Sequence, residues 1–253
     1  MPNPYLDYPG DYNLNKIEII TATGEVLPLR MGMIVELNVF EDIESSALTG
    51  SMVMIDSSNI ISNAPLQGNE RLVFKLSTPV SEYDERVAID ASEETGYPFH
   101  IYAIKKRVIQ SETLSSYNIQ FCSRELLRNT RTRVSRAYEG EVHQAAIKIL
   151  RDKNGLDSKK RLRYEPTKNK EKLVIPNMRP FRALDIVSKK ALSKNSEASG
   201  YYFYETTKGF NFRSYESMLT TQGKYGRLPK LTLGYQPKAL PVQDRKNYNM
   251  HNV

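Results

Sequence analysis

Among 253 residues there are one cysteine and three histidines. The lone Cys122 excludes an internal disulfide, and a thiol inside a strand-like run reads as a small buried hydrophobe rather than a nucleophile. His100, His143 and His251 are widely separated, and none belongs to a Cys/His cluster or a His-Glu-x-x-His pattern, so no metal site is predicted. His100 alternates with apolar neighbours in a strand and His143 stands near the start of a helix; both read as structural. Apolar runs such as Ile101–Ile104 and Val53–Ile55 fall far short of the roughly 18 residues of a membrane-spanning helix. The opening Met1–Gly10 carries Pro2, Pro4, Pro9 and Asp7 without the basic head and apolar run of a secretory signal, so cytoplasmic synthesis without membrane insertion is expected. There is no Gly-x-Ser-x-Gly elbow and no glycine-rich phosphate loop. Nucleophilic and nucleotide-dependent catalysis thus lose their usual signals, and no cofactor is predicted.

What is present is a globular composition, 40% apolar and 26% charged, in a chain long enough for one large domain or two ordinary ones. Two domains are expected. The charge is unevenly divided: residues 1–100 hold 5 Lys+Arg against 16 Asp+Glu, and residues 101–253 hold 31 against 13. An acidic part and a basic part in one chain suit nucleic-acid binding by the basic half. They equally suit copies that pack with one part against a neighbour's other part.

Lys16–Thr23 and Val26–Leu29 flank Gly24 as a hairpin. In Met33–Phe40 the alternation predicts Val35, Leu37 and Val39 on one face, with Glu36 and Asn38 on the other. Met52–Ile55, Arg71–Leu76, Phe99–Ile104 and Tyr117–Phe121 follow the same period of two. Short strands separated by Gly, Pro, Asn and Ser clusters predict an antiparallel barrel or sandwich, a barrel being preferred. The polar, acidic stretch Val80–Gly96 is expected to be an exposed loop.

After Cys122 the period changes. Arg124–Asn129 predicts a short helix, and Val142, Ala145, Ala146, Ile149 and Leu150 predict a longer one, stopped at Gly155. A strand at Leu173–Ile175 precedes Pro176. Pro180 opens a helix, with Leu184, Val187 and Ala191 on one stripe, ending near Lys194. Gly200–Glu205 and Gly209–Phe212 form an aromatic hairpin. The fold class is therefore mixed α+β and strand-rich. The expected units are a β-barrel at 1–123, an α/β part at 124–222, and a polar tail at 223–253 with one strand at Lys230–Leu233, returning to the first barrel.

Two patterns invite a chemical reading. Asp84 with Glu85 and Glu93 with Glu94 could serve a cell-wall glycosidase only across a cleft, whereas adjacent residues in extended chain diverge, which favours a solvated loop. Arg124, Arg128, Arg131, Arg133 and Arg136, with Lys159–Arg163 and the stackable Tyr201, Tyr202 and Tyr204, form the candidate nucleic-acid surface.

The segment Val174–Ala183, containing Pro176, Asn177, Arg179, Pro180 and Phe181, resembles the strand, Pro-Asn turn and Pro-initiated helix of baseplate central hub proteins of contractile-tailed phages. The hubs of phages infecting cyanobacteria are especially similar, and the base of type VI secretion spikes more distantly so. Ser199–Ser214, with Gly200, Tyr202, Tyr204, Gly209, Phe210 and Phe212, looks like that family's hairpin. Glu41–Ser51 and Ile60–Glu70 are similar to its first barrel, and the resemblance spans roughly residues 14–215. It implies a homotrimer with two barrel-like domains per subunit, forming a pseudo-sixfold ring between tail tube and spike. Tube or tube-initiator, spike and wedge proteins would be its partners in the virion baseplate. It further implies a channel through which genome DNA passes without specific binding, and no catalysis by the hub. Hubs of this kind are commonly longer; the second barrel is expected to be incomplete, completed by another polypeptide, or smaller.

Overall fold

The computed structural model describes residues 12–57, 68–77, 88–95, 97–111, 114–195 and 199–219. The predicted strand Lys230–Leu233 and tail, and the 60–67 part of the first-barrel motif, lie outside them.

The first part is one antiparallel sheet of eight strands: β1 (Asn13–Ile20), β2 (Val26–Pro28), β3 (Ile34–Phe40), β4 (Thr49–Asp56), β5 (Arg71–Ser77), β6 (Ala88–Ala91), β7 (Phe99–Ser111) and β8 (Leu114–Cys122). They lie in the order β2-β1-β5-β7-β8-β4-β3, with β6 also on β5. Among the described residues no ladder joins the end strands β2 and β3, so the hydrogen-bonded path is open rather than closed into a barrel. The alternation that predicted these strands places Ile17, Ile19, Met52, Met54, Leu72, Phe74, Ile119 and Phe121 in a single core. Phe74, Phe99 and Phe121 meet there with centroids 5.1–6.1 Å apart. Fully burying each such ring contributes on the order of 2–3 kcal/mol. Gly50 makes room for them, since a Cβ on it would strike both the Phe121 ring and the Asn38 carbonyl.

Three details depart from the sequence reading. A register shift between Ile34 and Glu36 breaks the alternation of β3, so Val35 turns to solvent while Ile34, Leu37 and Val39 pack inward. Within the acidic stretch, residues 88–91 form β6, which pairs with β5 and buries Ala91; residues 80–87 lie outside the described ones. Finally, β7 runs seven residues beyond Ile104. It pairs with β5 only through Phe99 and His100, and continues on β8 through three register shifts.

The second part comprises α1 (Arg124–Arg131), β9 (Val134–Glu141), α2 (Val142–Arg151), β10 (Leu162–Tyr164), β11 (Lys170–Met178), α3 (Pro180–Lys190), β12 (Tyr201–Thr206), β13 (Gly209–Ser214) and α4 (Tyr215–Leu219). β10 pairs with β13 in parallel, β12 with β13 antiparallel, and β9 with β11 antiparallel. Its core gathers Ile149 and Leu150 of α2, Leu184 and Val187 of α3, and Phe203, Phe210 and Phe212 of the hairpin. α2 ends at Arg151, before the predicted stop at Gly155, because Asp152 adopts an extended conformation. The Asp152 carbonyl then accepts from the Gly155 and Asp157 amides. α3 likewise ends at Lys190 rather than near Lys194, with Ala191 extended. Pro176 and Asn177 do not reverse the chain: β11 bulges between Ile175 and Met178, with Asn177 at φ 44°, and rejoins β9 at Val134. β9 and β10 escape sequence detection because they are solvent-edged or three residues long.

Candidate functional site

The two segments that carry the family resemblance converge on one core. Pro180, at the first turn of α3, is buried, and Phe181 stands 6.3 Å from Phe203 of the hairpin. Phe203 stacks on Phe210 at 5.3 Å, and Phe212 meets Tyr201 at 5.0 Å. No side chain of Arg179 caps α3; instead Asn129 of α1 accepts the Phe181 amide at 2.9 Å, satisfying one of the helix's orphan donors. Gly209, at φ 117° and against the Arg161 carbonyl, admits no side chain, and the Phe210 amide donates to that carbonyl at 2.8 Å. Tyr202 and Tyr204 point to the hairpin's other face, half-buried, with the Tyr204 hydroxyl 3.1 Å from Met218 Sδ. Arg179, Pro176 and Asn177 are exposed.

Where this core meets the first sheet, a buried charged triad forms. Lys160 Nζ lies 2.5 Å from Glu205 Oε1 of β12 and 3.0 Å from Glu125 Oε2 of α1. The second is a charge contact without hydrogen-bond alignment. Glu205 Oε2 accepts the Leu48 amide at 2.9 Å across the junction, and Glu125 Oε1 accepts from Ser158 Oγ at 2.6 Å. Burial works against the Lys160 charge, but the two carboxylates outweigh it and raise its pKa, so the ammonium persists. Burial pushes Glu125 upward, yet Lys160, Ser158 and its own backbone together hold it below its usual value. Glu205 is raised, chiefly by burial and with the Glu125 charge adding, while Lys160 opposes. Further contacts span the same junction. The Thr207 amide donates to Glu41 Oε1 at 2.5 Å, and the Tyr97 hydroxyl donates to the Lys159 carbonyl at 3.1 Å. A cleft of about 120 Å³ lined by Leu48, Tyr97, Phe99 and Gly209, and one of about 410 Å³ lined by Arg71, His100 and Arg124, flank the triad.

The five arginines separate into two groups. Arg128 donates to the Gly155 carbonyl at 2.7 Å and the Lys153 carbonyl at 2.8 Å, and Arg124 donates to the Asp157 carbonyl at 3.1 Å. They fasten the 152–158 loop that delivers Lys160 to the junction, so much of their donor capacity is spent inside the molecule. Arg131, Arg133 and Arg136 are exposed, Arg136 reaching Asp152 only at 4.0 Å.

The remaining candidates have structural surroundings. Burial pushes the Cys122 thiol up to about 12, with the nearby Glu205 adding. His143 Nδ1 accepts the Thr167 amide at 3.2 Å and its ring stacks on Tyr164; burial lowers its pKa, Glu141 opposing and Lys194 adding. His100 is lowered by burial and then by Arg71 and Arg124. Glu93 pairs with Arg71 at 2.8 Å and Glu94 with Lys75 at 2.9 Å, so these carboxylates are held by different cations rather than facing one another; Asp84 and Glu85 lie outside the described residues. Among the described residues no three His, Cys, Asp or Glu side chains converge as metal ligands would, and no helix is long and apolar enough to cross a membrane. The triad is what sequence reading missed. Lys160 sits in a basic run and Glu125 follows Arg124, with nothing local to mark either as buried, whereas Glu205 shares the inward alternation of Tyr201 and Phe203, the signal that could have found it.

No family profile and no curated protein matches the sequence. Solved structures do resemble the fold. The prophage tail protein gp18 from Listeria monocytogenes EGD-e is 10% identical, with a TM-score of 0.49 over 88% of this chain and 56% of that one. The tail protein from Neisseria meningitidis MC58 is 12% identical, with a TM-score of 0.47 over 79% and 50%. The Escherichia coli c3393 protein, a component of the type VI secretion system, is 13% identical, with a TM-score of 0.40 over 86% and 49%. The chain thus spans about half the length of each. By their names these are two tail proteins, one of them from a prophage, and a component of the type VI secretion system.

Proposed function

We propose that this chain is a non-catalytic structural subunit of a phage-tail baseplate hub. It forms a trimeric, pseudo-sixfold ring that joins the tail tube to the central spike and leaves a channel for the genome. The observation that carries this reading is the fusion of the two family-like segments into one core through Phe181 and Phe203. That core meets the strand-rich part beside the Lys160 triad, whose Glu205 accepts the Leu48 amide across the junction. A ring element that transmits load from tube to spike has to act as one body. The buried ion cluster at the junction contributes to that by fixing Glu205, the acceptor of the Leu48 amide, because displacing any one member would leave a desolvated charge without its partner. We place the boundary between the two units at residue 123, between Phe121, the last member of one core, and Val134, the first of the other. Spike, tube or tube-initiator and wedge proteins are the partners in this reading, and the virion baseplate is its location.

Mass photometry and negative-stain imaging of the purified chain, alone and with its spike and tube partners, test it. Three-subunit rings with an open centre are expected. A chain that stays monomeric and ignores both partners refutes the proposal.

A further inference from the structure

β7 from Ile104 to Ile109 is exposed at every residue. A half-buried strand alternates; this one has neither face covered, and beyond His100 only β8 pairs with it among the described residues. Ile104, Val108 (51% exposed) and Ile109 (66%) thus stand in solvent on the same short stretch as Lys105 and Lys106. Neither lysine has an acidic partner among the described residues, while Arg107 lies over the Tyr117 ring at 5.5 Å. Apolar groups on a projecting, open-edged strand are an aggregation hazard unless a partner takes them. Lysines and the register shift between Lys105 and Val108, with Lys106 at φ 51°, would repel an unsuitable one.

The same molecule carries the complementary surface. Among the described residues β3 ends the sheet, with β4 as its strand neighbour. Along it and the loop that follows, Val35 (61% exposed), Phe40 (53%) and Ile43 are exposed, interspersed with Glu36, Glu41, Asp42 and Glu44. None of these four carboxylates has a cationic partner among the described residues. One surface offers apolar groups among cations, the other apolar groups among anions, and both are open strand edges separated within the sheet by β8 and β4.

We infer that the projecting β7 segment of one copy docks along the β3 edge and 41–44 loop of a second copy, Lys105 and Lys106 against its carboxylates. The two surfaces differ, so the contact is head-to-tail, and repeated it generates a ring or an open array rather than a closed two-fold pair. This rests on the hub reading and names the surfaces by which copies would meet. The second copy is favoured over an unrelated partner because both halves of the contact, opposite in charge and alike in apolar content, are present on one chain.

A charge-swap series tests it, using the full chain in sedimentation velocity and mass photometry. K105E/K106E and E36K/E44K are each expected to weaken self-association by about tenfold or more, and combining the four substitutions in one chain is expected to restore it, since every head-to-tail contact is then complementary again. Raised salt weakens the wild type in parallel. Circular dichroism checks that each variant is folded. The residues of either set are exposed and lie away from both cores, and one intact set suffices for the test. Wild-type-like association of both variants overturns the inference while leaving the hub reading standing. So does loss of spike or tube binding without loss of self-association, which would assign the β7 segment to another protein. A wild-type chain that is monomeric alone yet joins its spike also overturns the self-contact but not the hub. A chain that does neither removes both.

Discussion

Replacing Lys160 with methionine tests the energetic account of the junction. Methionine approximates the lysine stem in length but gives up the ammonium, which also lies 5.8 and 5.9 Å from the ring centroids of Tyr97 and Phe210. What disappears is the one cation between Glu125, which is 2% exposed, and Glu205, which is 1% exposed. Removing one member of a buried ion cluster typically costs about 3–5 kcal/mol, because the charges left behind are desolvated and unpaired. Against a total stability of about 5–15 kcal/mol, that is a large fraction. Urea unfolding followed by far-ultraviolet circular dichroism measures it; the chain lacks tryptophan, so fluorescence would rest on tyrosine alone.

The loss should also depend on pH, with a sign fixed by linkage. Without Lys160 both carboxyls are driven above their unfolded pKa by burial and mutual repulsion. A carboxyl raised in the folded state contributes stability that is present below its unfolded pKa and lost as pH rises through its folded one. The variant should therefore lie closest to wild type at about pH 4 and furthest from it at neutral pH. In the wild type Glu125 acts oppositely, since its depressed pKa gives stability that fades on acidification, which narrows the gap further. The triple variant E125Q/K160M/E205Q, which keeps an acceptor for the Leu48 amide, should recover most of the loss. A K160M deficit below about 1 kcal/mol at neutral pH, or one independent of pH, would refute the claim that a desolvated triad organises the junction where the two parts meet.

Other substitutions probe single features. G209A should destabilise by more than G140A, measured by the same urea titration: both residues sit at φ 117°, but only Gly209 has a backbone carbonyl where the Cβ would go. Strain alone costs on the order of 1 kcal/mol, so G140A isolates that component. N129A removes the acceptor of the Phe181 amide and should cost about 1 kcal/mol, and N129D, which retains an acceptor, should cost less. Cys122 should resist a thiol reagent at about pH 8 in the folded protein and react promptly in denaturant, since burial pushes its pKa up to about 12. R128A should lower stability through two lost carbonyl contacts, whereas R133E should leave it within about 0.5 kcal/mol while reducing retention on heparin.

These contrasts bear on what could be read from the chain. Strand positions were legible wherever one face is covered: Leu72 and Phe74, or Tyr117, Ile119 and Phe121, alternate because the sheet lies on a single core. Legibility failed at three kinds of place, each with its own cause. A single register shift reversed the expected side of Val35, since a strand's period of two turns any slip of one residue into a change of face. The far half of β7 escaped because a strand open on both faces has no periodic signal to give. The Lys160 triad escaped because burial of a charge is decided by partners far off in sequence, Leu48 and Glu205 being 157 residues apart. The arginine run illustrates the same point from the other side. As a cluster, Arg124 to Arg136 suggested one cationic surface, but a helix followed by a strand divides it. Arg124 and Arg128 turn inward along α1 to backbone carbonyls of the 152–158 loop, and Arg131, Arg133 and Arg136 remain outside. Density of charge in sequence therefore measures opportunity, and only the three-dimensional arrangement decides which charges build the molecule and which are left to meet another one.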